Sequence, residues 1–526
     1  MVGQVSRRHF LAGVGSAGLL VAVGCSSPTS TSSRAGSSTP KRGGTLIIAQ
    51  PSDIPELDPA NQSDFGQLQM YQAPLRRLAG FGQHEPDLAS SVDVSADGLV
   101  YTVGFRPGIT FHDGTAFDAR SWVFAMQRQA FPDNPYHTGP FGHYVSLTGG
   151  FPGKVKSIEA DDATTARMTL NEPIADLEFA LADIEFAAAI NPAVIKKDVH
   201  FGQQPVGAGT GPFRFVERVA NDHVTLERYD GYWRKGFPYL DRVILKVIPD
   251  SGARVLALKA GEIQMMNVVG PEIDQLKDDP RVQLHSFPPY FANYISFDSA
   301  DPVVGDPKVR EAICRGIDRG TIAKQFSFAD EYKSFGSLPG LPGYRDDLSW
   351  YPYDPNAAKQ LLASVGHPGG IDVALTFANG IPLGADPQLM SQALQGQLAQ
   401  VGIRVKLNQI DPATLYQSSF GPPGRKDYPY QMALSLFGSD GDEFGLMQSW
   451  TSAANYAGYH PKYLQEFNKA ATEPSAQARV ATYKSLQQIM YDDVAFVPLV
   501  YTPVVQATAA NVQNLVPYYL ETTWLS

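Results

Sequence analysis

Cysteine is nearly absent: among 526 residues there are only Cys25 and Cys314. That scarcity excludes a disulfide-framed fold and any zinc site built on repeated Cys-x-x-Cys spacing. Long apolar runs are missing as well. The most apolar stretch, residues 11–24, consists of Leu, Val, Ala, Gly and one Ser. It falls short of the roughly 20 residues that a membrane-spanning helix needs. Positive charge is in deficit, with 42 Lys and Arg against 53 Asp and Glu and a net charge of -11. That balance argues against nucleic acid as a partner and against a polybasic grip on anionic lipid. No His-Glu-x-x-His and no Gly-x-Ser-x-Gly occurs, and the ten histidines are scattered without metal spacing. Gly13-x-Gly15-x-x-Gly18 matches a dinucleotide fingerprint by letters alone, since no strand precedes it.

What is present begins at the N-terminus. Ser6-Arg7-Arg8-His9-Phe10-Leu11 opens onto the apolar run, which ends in Ala22-Val23-Gly24-Cys25. The paired arginines look like a twin-arginine export signal, and the last four residues look like a lipoprotein cleavage box. The expectation is a signal peptide over 1–24, lipidation at Cys25, and a flexible Ser/Thr/Pro/Gly tether over 25–44. Removing 1–24 would take away Arg7 and Arg8 and no acid, so the exported chain is more acidic still. Cys314 would then be left without a partner.

The remaining length suffices for two or three domains, and 43% hydrophobic with 18% charged residues is ordinary for a globular chain. A strand is expected over 45–49, a turn at Leu57-Asp58-Pro59 and a helix over 67–78. Residues 91–111 alternate around turns at Ala96-Asp97-Gly98 and Arg106-Pro107-Gly108, which predicts a β-meander. Asp118 caps a helix running to Gln129, with Trp122, Ala125, Met126 and Gln129 on one face. Two strands follow over 154–170. The cluster Gly207-Ala208-Gly209-Thr210-Gly211-Pro212 lacks the Lys-Ser/Thr of a phosphate loop and leads into a strand, so it reads as a tight crossing between domains. Strands are expected at 223–228 and 242–248, then a helix capped by Ser251 and stopped at Gly261.

From Pro307 the pattern turns α/β: a helix over 309–325, and another opened by Asp354-Pro355 and closed at Gly366. Then come a strand at 371–377, a helix at 387–400, and strands at 403–409 and 430–437. Helices at 461–472 and 475–492 and strands near Val494 and Val504 finish the chain. This spacing implies parallel pairing.

Chemistry is sparse. His112-Asp113-Gly114 sits between strand and helix and reads as a turn with a satisfied histidine. Asp440-Gly441-Asp442-Glu443 resembles the start of a calcium loop, but Phe444 and Thr451 fall where ligands are required. A chain without catalytic or metal motifs favours binding over catalysis.

Six blocks in order carry a resemblance. They are SADGLVYTVGFRPG from Ser95 with ITFHDGTAFDA from Ile109, GTGPFRF from Gly209, and Ile248-Pro249-Asp250 with ALKAGE from Ala257. VREA from Val309 with Gly316-Ile317-Asp318-Arg319, YDPNAAKQLL from Tyr353 and YKSLQQIM from Tyr483 complete the series. Together they resemble the peptide/nickel class of extracellular solute-binding proteins of ABC importers, family 5. The resemblance implies an α/β fold, a two-lobed periplasmic-binding-protein-like clamp of type II with an additional third domain. It implies lobe one over 45–80, 205–289 and 502–526, the additional domain over 81–204, and lobe two over 290–501. The function implied is capture of peptides or peptide-like solutes and their delivery to the membrane permease. No enzyme activity, cofactor or metal is expected. The partners are the ligand, the permease subunits and, through the anchor, the membrane. The chain is expected to act as a monomer, outside the cytoplasmic membrane. Rival readings are a chelated metal, haem or glycan in the same clamp, or an exported peptidase.

The substrate-binding residues implied are Asp64, Phe65, Tyr290, Asn293, Asn379, Ile381, Phe437, Ser439, Asp440 and Asn455. Short-peptide members hold the peptide amine with an Asp three residues before an acid, where this chain has Ser439 and Asp442. Dipeptide members use an Arg for the carboxylate, where this chain has Ile381. A one-residue shift of register would make Asp440 the amine anchor. Without either anchor, the resemblance implies longer or capped peptides rather than free dipeptides.

Overall fold

The computed structural model describes residues 41–61, 69–78, 83–268, 270–287, 291–326, 328–331, 336–348, 350–378, 385–411, 414–415, 430–438, 443–450, 461–513, 516–518 and 522–524. Three sheets carry the architecture. The first has seven strands in the order Val282–Ser286, Val505–Ala509, Met265–Val268, Thr45–Gln50, Arg242–Val247, His223–Arg228, Phe213–Val219. Its central strand shows why it is buried on both sides. With a period of two, Leu46 and Ile48 point into one core, while Ile47 and Ala49 point into another with Val255, Leu258 and Ile273 from the helices Ser251–Ala260 and Gly270–Leu276.

The core on the Leu46 side continues without a break into the additional domain. That domain is built on four antiparallel strands in the order Ala89–Val94, Val100–Phe105, Thr165–Leu170, Val155–Ala160. Its helix Ala119–Ala130 starts at Asp118, whose carboxylate accepts from the Ser121 amide at 2.9 Å. The expected face of this helix is buried, and the Trp122 indole donates to the Ala187 carbonyl at 3.0 Å. At the glycine crossing a Cβ on Gly209 would meet the Met70 carbonyl oxygen at 2.0 Å, and one on Gly211 the Gln69 carbonyl oxygen at 2.5 Å. Only glycine lets the two backbones approach so closely.

The second large sheet has the order Asp330–Glu331, Val497–Thr502, Phe291–Phe297, Met432–Gly438, Ile371–Ala378, Ile403–Ile410. The strand Ile371–Ala378 runs parallel to both of its neighbours, as the strand–helix–strand spacing implies. Helices including Pro307–Arg315, Pro355–Ser364, Pro387–Ala399 and Ala476–Asp492 close a separate core around it.

Several local expectations change. Of the helix expected over 67–78, residues 69–70 are helical, while 71–74 are not and Leu75–Arg77 is a strand paired with His84–Pro86. Asp250, not Ser251, caps the helix Ser251–Ala260, accepting from the Ala253 amide at 2.7 Å. The helix expected over 309–325 is two, Pro307–Arg315 and Arg319–Ala323, because Asp318 turns its carboxylate to the Thr321 amide and restarts the chain as a new N-cap.

Among the described residues no helix is long and apolar enough to cross a membrane.

Candidate functional site between the carboxyl edges of two sheets

In the first sheet Thr45–Gln50 runs parallel to Arg242–Val247 and Met265–Val268, and Val282–Ser286 shares that direction through its antiparallel neighbour Val505–Ala509. In the second sheet Ile371–Ala378, Ile403–Ile410 and Met432–Gly438 are parallel, and Val497–Thr502 shares their direction through Phe291–Phe297. The chain leaves the first sheet at the carboxyl end of Val282–Ser286 and enters the second at the start of Phe291–Phe297. It returns from the carboxyl end of Val497–Thr502. Each sheet therefore turns its carboxyl edge toward the other, the edge at which open α/β sheets bind ligands.

The two passes run side by side. Ser286 pairs with Val505 in the first sheet and Phe291 with Thr502 in the second, and the Phe287 amide donates to the Val504 carbonyl at 3.0 Å between them. A two-stranded connection of this kind is a hinge: a few residues can change φ and ψ while both sheets stay intact.

Beside the hinge are several amide and hydroxyl side chains. Asn293 is buried and donates to the Thr502 hydroxyl at 3.3 Å. Gln506 lies opposite Asn267 and donates to its side-chain oxygen at 3.1 Å. Among the described residues, three acids on the loops leaving these edges are engaged locally. Asp53 is held by Arg218 at 2.6 Å, Asp250 caps its own helix, and Asp411 accepts from the Thr414 amide at 2.9 Å. Such a wall can recognise a polar ligand by hydrogen bonds, with buried amides fixing its orientation.

Among the residues expected to bind ligand, Asn293 is placed at the hinge. The backbone of Phe437 pairs with Ala292, one position away, at the end of the strand Met432–Gly438. Asn379 and Ile381 follow the strand Ile371–Ala378 in sequence, and Ser439 and Asp440 follow Met432–Gly438. Those four, together with Asp64, Phe65, Tyr290 and Asn455, lie outside the described residues, as does Cys25. Thr502, Gln506 and Asn267, also beside the hinge, are not among the expected residues. They sit in strands as single polar positions among apolar ones, a pattern that also fits an exposed face, so nothing local distinguishes them.

His112 belongs to the fold and not to a catalytic site. Its ring nitrogen Nε2 contacts the Gly211 carbonyl at 3.0 Å, and its amide donates to Gly209. Burial pulls its pKa down to about 4, against the opposing hydrogen bond, so the ring is neutral. Asp113 accepts from Thr115 and Asn191, as a turn aspartate does. Among the described residues no group of three His, Cys, Asp or Glu could hold a metal ion.

Beyond the hinge a second feature links the halves. A cavity of about 530 Å³ lies between the additional domain and the helices of the second core, lined among others by Tyr101, Asp176, Glu443, Arg479 and Tyr483. Glu443 opens the helix Glu443–Ser449 and is 3% exposed; its carboxylate accepts from the Gly343 amide at 2.6 Å and the Ser337 hydroxyl at 3.0 Å. Burial pushes its pKa up to about 7, with Asp176 adding to the rise.

The model for bacterial extracellular solute-binding proteins, family 5 (middle), matches residues 83–458. The glutathione-binding protein GsiB of Escherichia coli O1:K1 is 28% identical over 482 residues, covering 89% of this chain and 90% of that protein. A periplasmic binding protein, DppA from Helicobacter pylori, solved with the peptide STSA, superposes with a TM-score of 0.75 at 26% identity, over 90% of this chain and 96% of that one. NikA from Brucella suis, solved with Fe(III)-EDTA, has the same fold, with a TM-score of 0.78 at 21% identity over 91% and 98% of the two chains.

Proposed function

Since this chain belongs to the bacterial extracellular solute-binding proteins of family 5, we propose that it captures a peptide or peptide-like solute between its two lobes and hands it to the permease of an ABC importer. The observation that carries the reading is the hinge: two carboxyl edges face each other across two adjacent strands, with uncharged amides beside them. In this reading lobe one is 45–80, 205–289 and 502–526, the additional domain is 81–204, and lobe two is 290–501. The protein acts as a monomer, exported by the twin-arginine route and anchored through a lipid on Cys25. Changing Cys25 to Ser is expected to move it from the membrane fraction to the soluble one; retention in the membrane would refute the anchor.

The ligand class follows from the anchors that are replaced. Ser439 and Ile381 stand where an amine-binding Asp and a carboxylate-binding Arg would select dipeptides. Affinity then rests on main-chain hydrogen bonds and apolar contact, which grow with length at roughly 25 cal/mol per Å² of apolar surface. Glutathione, the ligand named for the GsiB relatives, is a peptide-like solute and belongs first in the series. Calorimetry with glutathione and with peptides of two to five residues, free and N-acetylated, tests this. Tighter binding of longer peptides and a small acetylation cost are expected. A cost above about 2 kcal/mol, the scale of a charge-assisted hydrogen bond, would make Asp440 an ionic amine anchor. No binding of any member of the series would refute the peptide reading.

A further inference from the structure

The additional domain and the second half meet around the cavity through polar and apolar contacts. Asp176 comes from the additional domain, at the start of the short helix Leu177–Ala180; Arg479 comes from the helix Ala476–Asp492. Their side chains form an ion pair at only 26% and 9% exposure, respectively. Arg479 is held before any partner arrives, because it also donates to the carbonyls of Glu473 at 2.8 Å and Pro474 at 3.0 Å. Asp176 adopts φ 55, a left-handed backbone that costs a non-glycine residue energy and persists only where surroundings fix it. Next to it Ala175 is buried in the core of the second half. Gly98 faces Pro474, and Gln448 donates to the Ser146 carbonyl at 3.2 Å.

The additional domain cannot move freely against the first sheet, because the two share one apolar core. The second half is tied to the first sheet by the two hinge passes. Rotation about the hinge that carries the second half away from the additional domain would therefore part Asp176 from Arg479. We propose that the Asp176–Arg479 pair is a latch, remote from the ligand, that sets the balance between closed and open clamp and so tunes affinity. This rests on the hinged-clamp reading above. A ligand that binds only the closed form loses apparent affinity in proportion to the fraction closed.

The test uses the exported chain with Asp176→Asn, Arg479→Gln and the double variant. Asn tolerates the left-handed backbone, and Gln keeps donors for the two carbonyls, so both singles should melt cooperatively. Small-angle scattering without ligand should show a larger radius of gyration for each single variant. Binding of glutathione or the best peptide of the series should weaken by about tenfold, equivalent to about 1.4 kcal/mol. The double variant should be no worse than either single, because both remove one interaction. Unchanged scattering in folded single variants, or losses that simply add, would overturn the latch. If no peptide binds even the unaltered protein, the ligand reading fails, and scattering alone still decides the latch.

Discussion

Where the additional domain meets the first sheet, the two share an apolar core and a fully buried ion pair; where it meets the second half, they share a cavity and an ion pair with one partner partly exposed. At the first boundary Asp58 and Arg128 pair with both side chains at 2% exposure or less, and Arg128 also lies over the rings of Phe141 and Phe201. Asp87 is buried likewise, held by Gln72 at 2.8 Å and Arg234 at 2.6 Å. Burial pushes the pKa of Asp58 up against the pull of Arg128, a sign of how completely water is excluded. At the second boundary the Asp176–Arg479 pair borders the cavity and Asp176 reaches solvent, while Ala175 and Glu443 are buried. The difference separates a permanent joint from a reversible one. Charges sealed in a core cannot be exposed without unfolding, whereas an ion pair beside a cavity can open and be rehydrated.

The largest effect is expected from breaking the permanent joint. Asp58→Asn leaves the Arg128 charge buried without its counterion, which costs about 3–5 kcal/mol. Urea unfolding followed by circular dichroism should show a midpoint lowered accordingly. A loss below about 1 kcal/mol, the scale of an exposed pair, would put the two boundaries in one class.

Next in size is the pH response of the reversible boundary. The pKa of Glu443 is about 7 in the folded chain against 4.5 for an ordinary glutamate. Between those values the folded state holds a proton that the unfolded state has released. The contribution is therefore complete below about pH 4.5 and is lost as pH rises through about 7. Glu443→Gln should abolish that decline, so the variant gains on the wild type across this window by at most about 3 kcal/mol. Parallel stability profiles for the two proteins would show that Glu443 is not held neutral. His112, on the permanent side, has the opposite sign. Its pKa of about 4 means that stability falls as pH drops from about 6.5. The melting temperature of the Glu443→Gln variant should therefore retain its decline on the acid side.

The smallest effect is expected at the rim. Gln448→Ala removes one exposed hydrogen bond to Ser146 and should change stability by less than about 0.5 kcal/mol. A loss above about 1 kcal/mol would mean that the second boundary is distributed over its rim and not concentrated at Asp176 and Arg479.

Much of the fold could be read from local signals because those signals act locally. Asp118 and Asp354 cap the helices they were expected to cap, since a short polar side chain and the amides it serves are within three residues. The strand His223–Arg228 and the helix Pro461–Thr472 have the expected bounds because apolar periodicity and punctuation agree there. Where two local signals compete, the reading fails. Gly316 and Asp318 interrupt an apolar helical pattern, and the cap prevails. Residues 75–77 have helical composition and become a strand because His84–Pro86 supplies a pairing edge.

Of the expected site, only Asn293 and the backbone of Phe437 lie among the described residues. Strand ends such as Ala378 and Gly438 could be located from alternation, and the implied ligand residues cluster just after them. Asp176 and Arg479, 303 residues apart, carry no mutual signal, and neither do Asn293 and Thr502, 209 residues apart.

Most elements, the scarcity of cysteine, the acidic balance and the ordered blocks of the family could be read from the chain alone, because all of them depend on composition or short-range spacing. Tertiary structure alone decided which carboxyl edges face each other, which buried charges find partners, and that the additional domain is fused on one side and latched on the other. Those outcomes depend on contacts between distant segments, and such contacts form only when apolar faces are buried together and the polar groups carried with them must find partners or water.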